Sequence, residues 1–216
     1  DTSRYNDQNE PLHWSRTGGD RTHRMNFNYN YQFPNFGVDG IAAKVLNGWL
    51  VSGVTSIQSG SPLTLTDRSG GSVYGKSAPS TITLCPGMTY ADVINSGTTQ
   101  DRLGGQFSTN GWINTAAICS APVLGTDGVA TGFGSAGQGI ITGPGQNGWD
   151  ISVGKATKVG GLREDSELQF RAEFYNAFNH PQFSDPGTTF GTQNFGKITQ
   201  TSVAPRLIQF GIKYLF

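Results

Sequence analysis

Hydrophobic and polar positions alternate without a break from Arg24 to Phe33. Phe27, Tyr29, Tyr31 and Phe33 share one face, and Asn26, Asn28, Asn30 and Gln32 share the other. A period of two is the mark of a strand, because successive side chains of a pleated backbone point to opposite sides. Amides rather than charges line the polar side, which suits a wall between hydrocarbon and a watery lumen. The pattern returns twice. Across 166–178, Leu168, Phe170, Ala172 and Phe174 oppose Gln169, Arg171, Glu173 and Tyr175. Across 205–216, Ile208, Phe210, Ile212, Tyr214 and Phe216 oppose Gln209, Gly211 and Lys213, with Leu207 and Leu215 blurring the polar side. Two further segments predict strands. In 148–159, Trp149, Ile151 and Val153 alternate with Asp150, Ser152 and Gly154, and the short turn 160–165 joins this segment to the next as a hairpin. The segment 48–58 is expected to resume through 62–66, but its alternation is too weak to say which side faces outward.

The stretches between these strands lack sustained periodicity. In 34–47, Ala42 to Leu46 can form one helical turn, and 67–147 and 179–204 are rich in Gly, Ser, Thr and Pro. Counted back from the end, connections run long, short, long, moderate. Outer-membrane barrels place short turns on the periplasmic side and long loops outside. The expected fold is therefore all-β, an antiparallel transmembrane barrel segment. Its strands fall near 22–33, 48–66, 148–159, 166–178 and 205–216, with extracellular loops 67–147 and 179–204. The last strand descends and ends with Phe216 in the periplasmic aromatic girdle. Five strands cannot close a membrane barrel, and open edges in lipid leave backbone groups unpaired at several kcal/mol each. Either the loops hide further strands or the segment belongs to a larger barrel, and the second reading is preferred.

Composition narrows the field. The 216 residues include 31 glycines, only 14% are charged, and the formal net charge is +0. A neutral chain lacks the basic footprint of a nucleic-acid binder, and two cysteines exclude a disulfide-dense mini-fold or a cysteine-built zinc module. No apolar run approaches the roughly 20 residues of a membrane helix, which leaves strands that cross a membrane untouched. The chain opens on Asp1-Thr2-Ser3 with neither Met nor leader, so it reads as a processed product or a piece of something longer.

Several motifs now fall into register. Leu168-Gln-Phe-Arg-Ala-Glu-Phe-Tyr-Asn-Ala-Phe-Asn-His-Pro-Gln-Phe183 resembles the penultimate-strand motif of TonB-dependent outer-membrane receptors of the Oar-like type, whose members carry a carboxypeptidase-regulatory-like domain. Asp20 to Arg24, Gly48 to Gly53 with Gln58 to Pro62, Trp112 to Ala117, and Gly143 to Asp150 agree with that family in the same order. The resemblance implies the C-terminal part of an approximately 22-stranded barrel with an internal plug, energised through TonB and importing a large or scarce solute. It further implies that Phe210, Ile212, Tyr214 and Phe216 belong to the terminal strand read by the barrel-assembly machinery. The plug and energy-coupling box have no counterpart in these residues. The partners expected are outer-membrane lipid, the assembly machinery, TonB through the plug, and an unidentified solute; no cofactor, metal or nucleic acid is expected. A surface or adhesive outer-membrane protein and a secreted soluble all-β binding module are the alternatives.

Candidate chemistry is sparse. Asn26, Asn28 and Asn30 with Gln169, Arg171, Glu173 and Tyr175 are the expected lumen-facing set. Cys85 and Cys119, in one predicted extracellular loop, are expected to pair as a disulfide, two separate buried thiols being the alternative. The spacing Gly132-Phe-Gly-Ser-Ala-Gly137 matches a dinucleotide loop, but Gly139, Gly143, Pro144 and Gly145 forbid the helix that motif requires, so it reads as a flexible loop. His13, His23 and His180 lack the spacing of metal ligands; His180 before Pro181 is expected to cap a strand end. Glu164, Asp165 and Glu167 sit at a turn with nothing to aim them at a sugar. Enzymatic function is the weakest reading. Trp49 and Trp149 suit anchors at the two membrane boundaries.

Overall fold

The computed structural model describes residues 16–67, 80–106, 108–120, 134–161 and 163–216. They form two compact units. His23–Gln58, Gln146–Gln182 and Val203–Phe216 make the first unit, a sheet. Its strands are β1 (Arg24–Gln32), β2 (Trp49–Gln58), β3 (Gln146–Lys158), β4 (Glu167–Tyr175) and β5 (Leu207–Leu215), and one short helix, α1 (Gly40–Leu46), lies between β1 and β2. The strands pair antiparallel in chain order, β1-β2-β3-β4-β5, an up-and-down meander. All five expected strands are present. The sheet is open: among the described residues β1 pairs only with β2, and β5 only with β4.

Register decides which residues share a face, and two neighbouring rows show the result. Asn30, Ser52, Ser152, Glu173 and Gln209 stand side by side across the five strands, and the next row is Tyr31, Val51, Val153, Ala172 and Phe210. One row is entirely polar and the other entirely apolar. Because a one-residue slip would invert every side chain of a strand, this agreement is strong evidence that the pairing is specified by the hydrophobic pattern. The apolar face is not covered by a protein core: Phe210 is 67% and Ile212 74% exposed. The tight β3–β4 connection is closed by Val159 N–H donating to Ser166 O at 3.0 Å, and it turns at Gly160 and Gly161, whose φ values of 67° and 123° favour glycine.

The strand expected over 48–66 ends earlier, at Gln58. Pro62–Leu63 pairs instead with Ile141–Thr142 in the second unit. The chain leaves the sheet through Ser59-Gly60-Ser61-Pro62. A Cβ on Gly60 would lie 1.8 Å from the Gly143 carbonyl, so that approach requires glycine.

The long connections are also not bare loops. The described residues within 16–22, 59–145 and 183–202 belong to the second compact unit. It is built from two-residue ladders: Thr66–Asp67 between Ser80–Thr81 and Thr189–Phe190, and Thr83–Leu84 against Ile118–Cys119. Leu65, Ile82, Val93, Ile113 and Ile141 are buried at its centre, with Trp112, Phe195 and Ile198 around them. Cys85 and Cys119 are joined by a disulfide across a sequence separation of 34, beside the second ladder. Gly134 to Gly137, the described part of the glycine-rich motif, is packed rather than loose. Ala136 is fully buried and donates its N–H to Ile82 O at 3.0 Å. Gly132 and Phe133 lie outside the described residues, as does His13.

Candidate functional site: the polar face of the sheet

The meander brings every expected lumen-facing residue onto one face. Asn26, Asn28 and Asn30 stand on β1, and Gln169, Arg171, Glu173 and Tyr175 on β4, with Ser52, Val54, Asp150 and Ser152 of β2 and β3 between them. The two sets are three strand spacings apart, about 14 Å at roughly 4.8 Å per strand. Asn30 from the first set and Arg171, Glu173 and Tyr175 from the second line a shallow groove of about 330 Å³ that also takes in Ser52 and Ser152, whereas Asn26, Asn28 and Gln169 lie outside it.

Arg171 owes its position to its neighbours. Its cross-strand partners are Gly154 on one side and Gly211 on the other, so neither flanking position carries a side chain to obstruct it. Arg171 Nε reaches Glu173 Oε1 at 2.8 Å and Ser152 Oγ at 3.3 Å. Glu173 then accepts the Tyr175 hydroxyl at 3.1 Å through Oε2. The result is a short chain of donors and acceptors along one strand, and a separate bond from Gln169 Nε2 to Glu167 Oε1 at 2.5 Å lies further along it. Most of the arginine side chain remains open to solvent, at 66% exposure. An exposed pair of this kind contributes under about 1 kcal/mol, so its use is to set the polarity of the wall.

The far end of the groove is fixed by backbone capture. Asp150 Oδ1 accepts the Asn176 N–H at 2.9 Å, and Asn176 accepts the His180 N–H at 2.9 Å while donating to the His180 carbonyl. His180 therefore belongs to a turn that ends β4. No group of three metal-ligating side chains occurs among the described residues.

The apolar face carries the terminal-strand residues. Phe210 stacks on Phe170 with centroids 6.2 Å apart, and Tyr214 on Phe216 at 5.8 Å. Trp49 and Trp149 occupy opposite ends of this face. Trp49 pairs with Lys155, six residues along β3 from Trp149. At a rise of about 3.3 Å per residue, the two indoles are separated by roughly 20 Å along the strand. That is comparable to the roughly 25 Å apolar band of an outer-membrane barrel with aromatic girdles at its rims.

Sequence patterning missed Ser52, Val54, Asp150 and Ser152 as groove residues. The face of β2 is invisible without its partners, whereas Asp150 and Ser152 already alternate with Trp149 and Ile151 and carried a usable signal.

An up-and-down antiparallel sheet with one mainly polar face, one mainly apolar face and tryptophans toward its two ends has the two-sided pattern of a membrane β-barrel wall. The family model for an outer membrane beta barrel domain matches residues 1–209, and the chain belongs to that family. No curated protein and no solved structure matches the chain. No described helix is long and apolar enough to cross a membrane; the chain is an outer-membrane protein that uses strands.

Proposed function

We propose that this chain is the C-terminal barrel part of a TonB-dependent receptor of the Oar-like type, and that its polar face lines the path of a large or scarce solute. One observation carries the reading. A polar row, Asn30, Ser52, Ser152, Glu173 and Gln209, runs unbroken from β1 to β5, so the hydrated side of the sheet spans all five strands rather than one polar strand beside a core. The unpaired edges of β1 and β5 support membership in a larger barrel, because open edges in lipid cost several kcal/mol per backbone group. TonB, the plug and the barrel-assembly machinery enter as partners on the resemblance described above. The balanced Arg171–Glu173 ladder and the amides of β1 suit transient contacts with a polar solute, and the reading includes no catalytic step.

The test is genetic. Depletion of solutes from the medium is compared in otherwise identical strains lacking this gene, lacking TonB, or lacking neither. Transport predicts that the same solute ceases to be depleted in both deletion strains. If loss of the gene abolishes surface adherence while loss of TonB changes nothing, the adhesive reading replaces it.

A further inference from the structure

The connection between β1 and β2 is more than a turn. Helix α1 buries none of its side chains, yet its last turn is held by donors from two strands. Lys155 Nζ donates to the carbonyls of Val45 and Asn47 at 2.9 and 2.6 Å. Trp49 Nε1 donates to Val45 O at 3.0 Å, and Thr157 Oγ1 to Lys44 O at 3.1 Å. The register puts Trp49 and Lys155 in one row with Phe170 and Ile212, and Thr157 in the row of Leu168 and Tyr214. All three latching side chains therefore stand on the apolar face.

Lys155 is the one charged residue that the five strands place on that face. A lysine on the lipid side of a barrel costs about 2–4 kcal/mol at the bilayer midplane and about 0–1 near the interface. Here its ammonium is consumed by two carbonyls at the helix C-terminus and by the Trp49 ring, 4.7 Å from the centroid. The last carbonyls of a helix lack internal partners, and a cation beside them also complements the helix dipole. The latch thus gives both the charge and the helix end a reason to be where they are.

Held this way, the connection presents its apolar residues outward. Ile41 is 82% and Val45 57% exposed, and Phe36 and Leu46 are exposed as well. Phe36 is fixed by Asn47, whose Oδ1 accepts the Phe36 N–H at 2.7 Å and whose Nδ2 donates to its carbonyl at 3.2 Å. A seven-residue helix does not persist in water unaided.

We propose that the 33–48 connection is an in-plane membrane anchor. Phe36, Ile41, Val45 and Leu46 insert at the boundary between headgroups and acyl chains, and Lys155 is the latch that holds the helix there. The occupant is phospholipid, because the latch ties the helix to the face of the sheet that is continuous with hydrocarbon, at the row of a boundary tryptophan. The inference rests on the barrel reading of that face.

The test uses the full-length outer-membrane protein with a fluorophore on a single introduced cysteine, Ile41→Cys, Tyr31→Cys or Asn30→Cys, in phosphatidylcholine vesicles brominated near the headgroup or deeper in the chain. Tyr31 reports the apolar face and Asn30 the polar face. The expected result is strong quenching of the Ile41 probe by shallow bromines, quenching of the Tyr31 probe by deeper ones, and none at Asn30. Adding Lys155→Met should reduce quenching at Ile41 to the Asn30 level while leaving Tyr31 unchanged. Quenching at Tyr31 without quenching at Ile41 overturns the anchor and leaves the barrel intact; absence at both overturns the barrel reading and the anchor with it. An Ile41 probe shielded from both lipid bromines and an aqueous quencher means that protein covers the helix, which also overturns the anchor. Unchanged quenching in the Lys155→Met background overturns the latch.

Discussion

Thr55 is one of the residues at which the two-faced pattern is locally broken. It stands on the apolar face between Phe27 and Trp149, is only 2% exposed, and its hydroxyl has no hydrogen-bond partner among the described residues. A buried hydroxyl left unsatisfied costs about 1–3 kcal/mol, and valine has the same shape without it. Thr55→Val should therefore stabilise the sheet by about 1 kcal/mol, seen as a higher urea midpoint for loss of the heat-modifiable form. Asp92 behaves oppositely, as a polar residue fully used. Its carboxylate accepts the Thr89 hydroxyl at 2.7 Å and the Thr89 N–H at 2.8 Å, and these bonds hold it below the ordinary carboxylate range. The same arrangement recurs at Thr98 and Asp101. A carboxyl whose pKa is lowered on folding contributes stability that is present above its unfolded value near 3.8 and lost as pH falls through the lower folded value. Amide exchange at Thr89 and Thr98 should accordingly lose protection in strong acid but not between pH 5 and 8, after correction for the intrinsic rate. Asp92→Asn should remove the acid-dependent loss at Thr89 and leave that at Thr98.

At the scale of elements, what could be read from the chain follows from how each element buries its residues. β1, β4 and β5 are legible because each alternates against a hydrated face. β2 is not, since Leu50 and Val54 fall on the polar face while Gly53 and Thr55 fall on the apolar one. Tyr29 explains the glycine: a Cβ on Gly53 would lie 2.5 Å from the Tyr29 hydroxyl, so the tyrosine ring covers the position that a side chain would fill. The second unit escaped for a different reason. Leu65 and Ile82 are single residues between two-residue ladders, Val93 ends a 3-10 turn and Ile113 makes an isolated bridge, and no period is detectable in runs that brief. With so little regular structure, the Cys85–Cys119 link carries a large share of the order. Closing a loop of this length stabilises by about 3–4 kcal/mol through the unfolded chain. Replacing both cysteines by serine should expose the 83–120 segment to protease at concentrations that leave the oxidised protein intact. Protection of the five strands should not change.

For the molecule as a whole, the informative contrast lies between what a residue does for the fold and what it does for delivery to the membrane. Phe216 follows the last residue of β5, is 72% exposed, and stacks on Tyr214 at 5.8 Å. An aromatic pair of this kind is worth about 0.5–1.5 kcal/mol at most. If Phe216 mattered only as packing, its removal would cost no more than this. The proposed role in recognition by the barrel-assembly machinery predicts a different split: deletion of Phe216 should sharply reduce the amount of heat-modifiable protein in the outer membrane, while protein refolded from urea into detergent keeps a melting temperature within a few degrees of the parent. Ala in place of Gln209, which lies on the opposite face of β5, serves as the control and should assemble normally. Equal losses in cells and in detergent would assign Phe216 to packing, and normal assembly of the deletion would remove the terminal strand from the recognition step altogether.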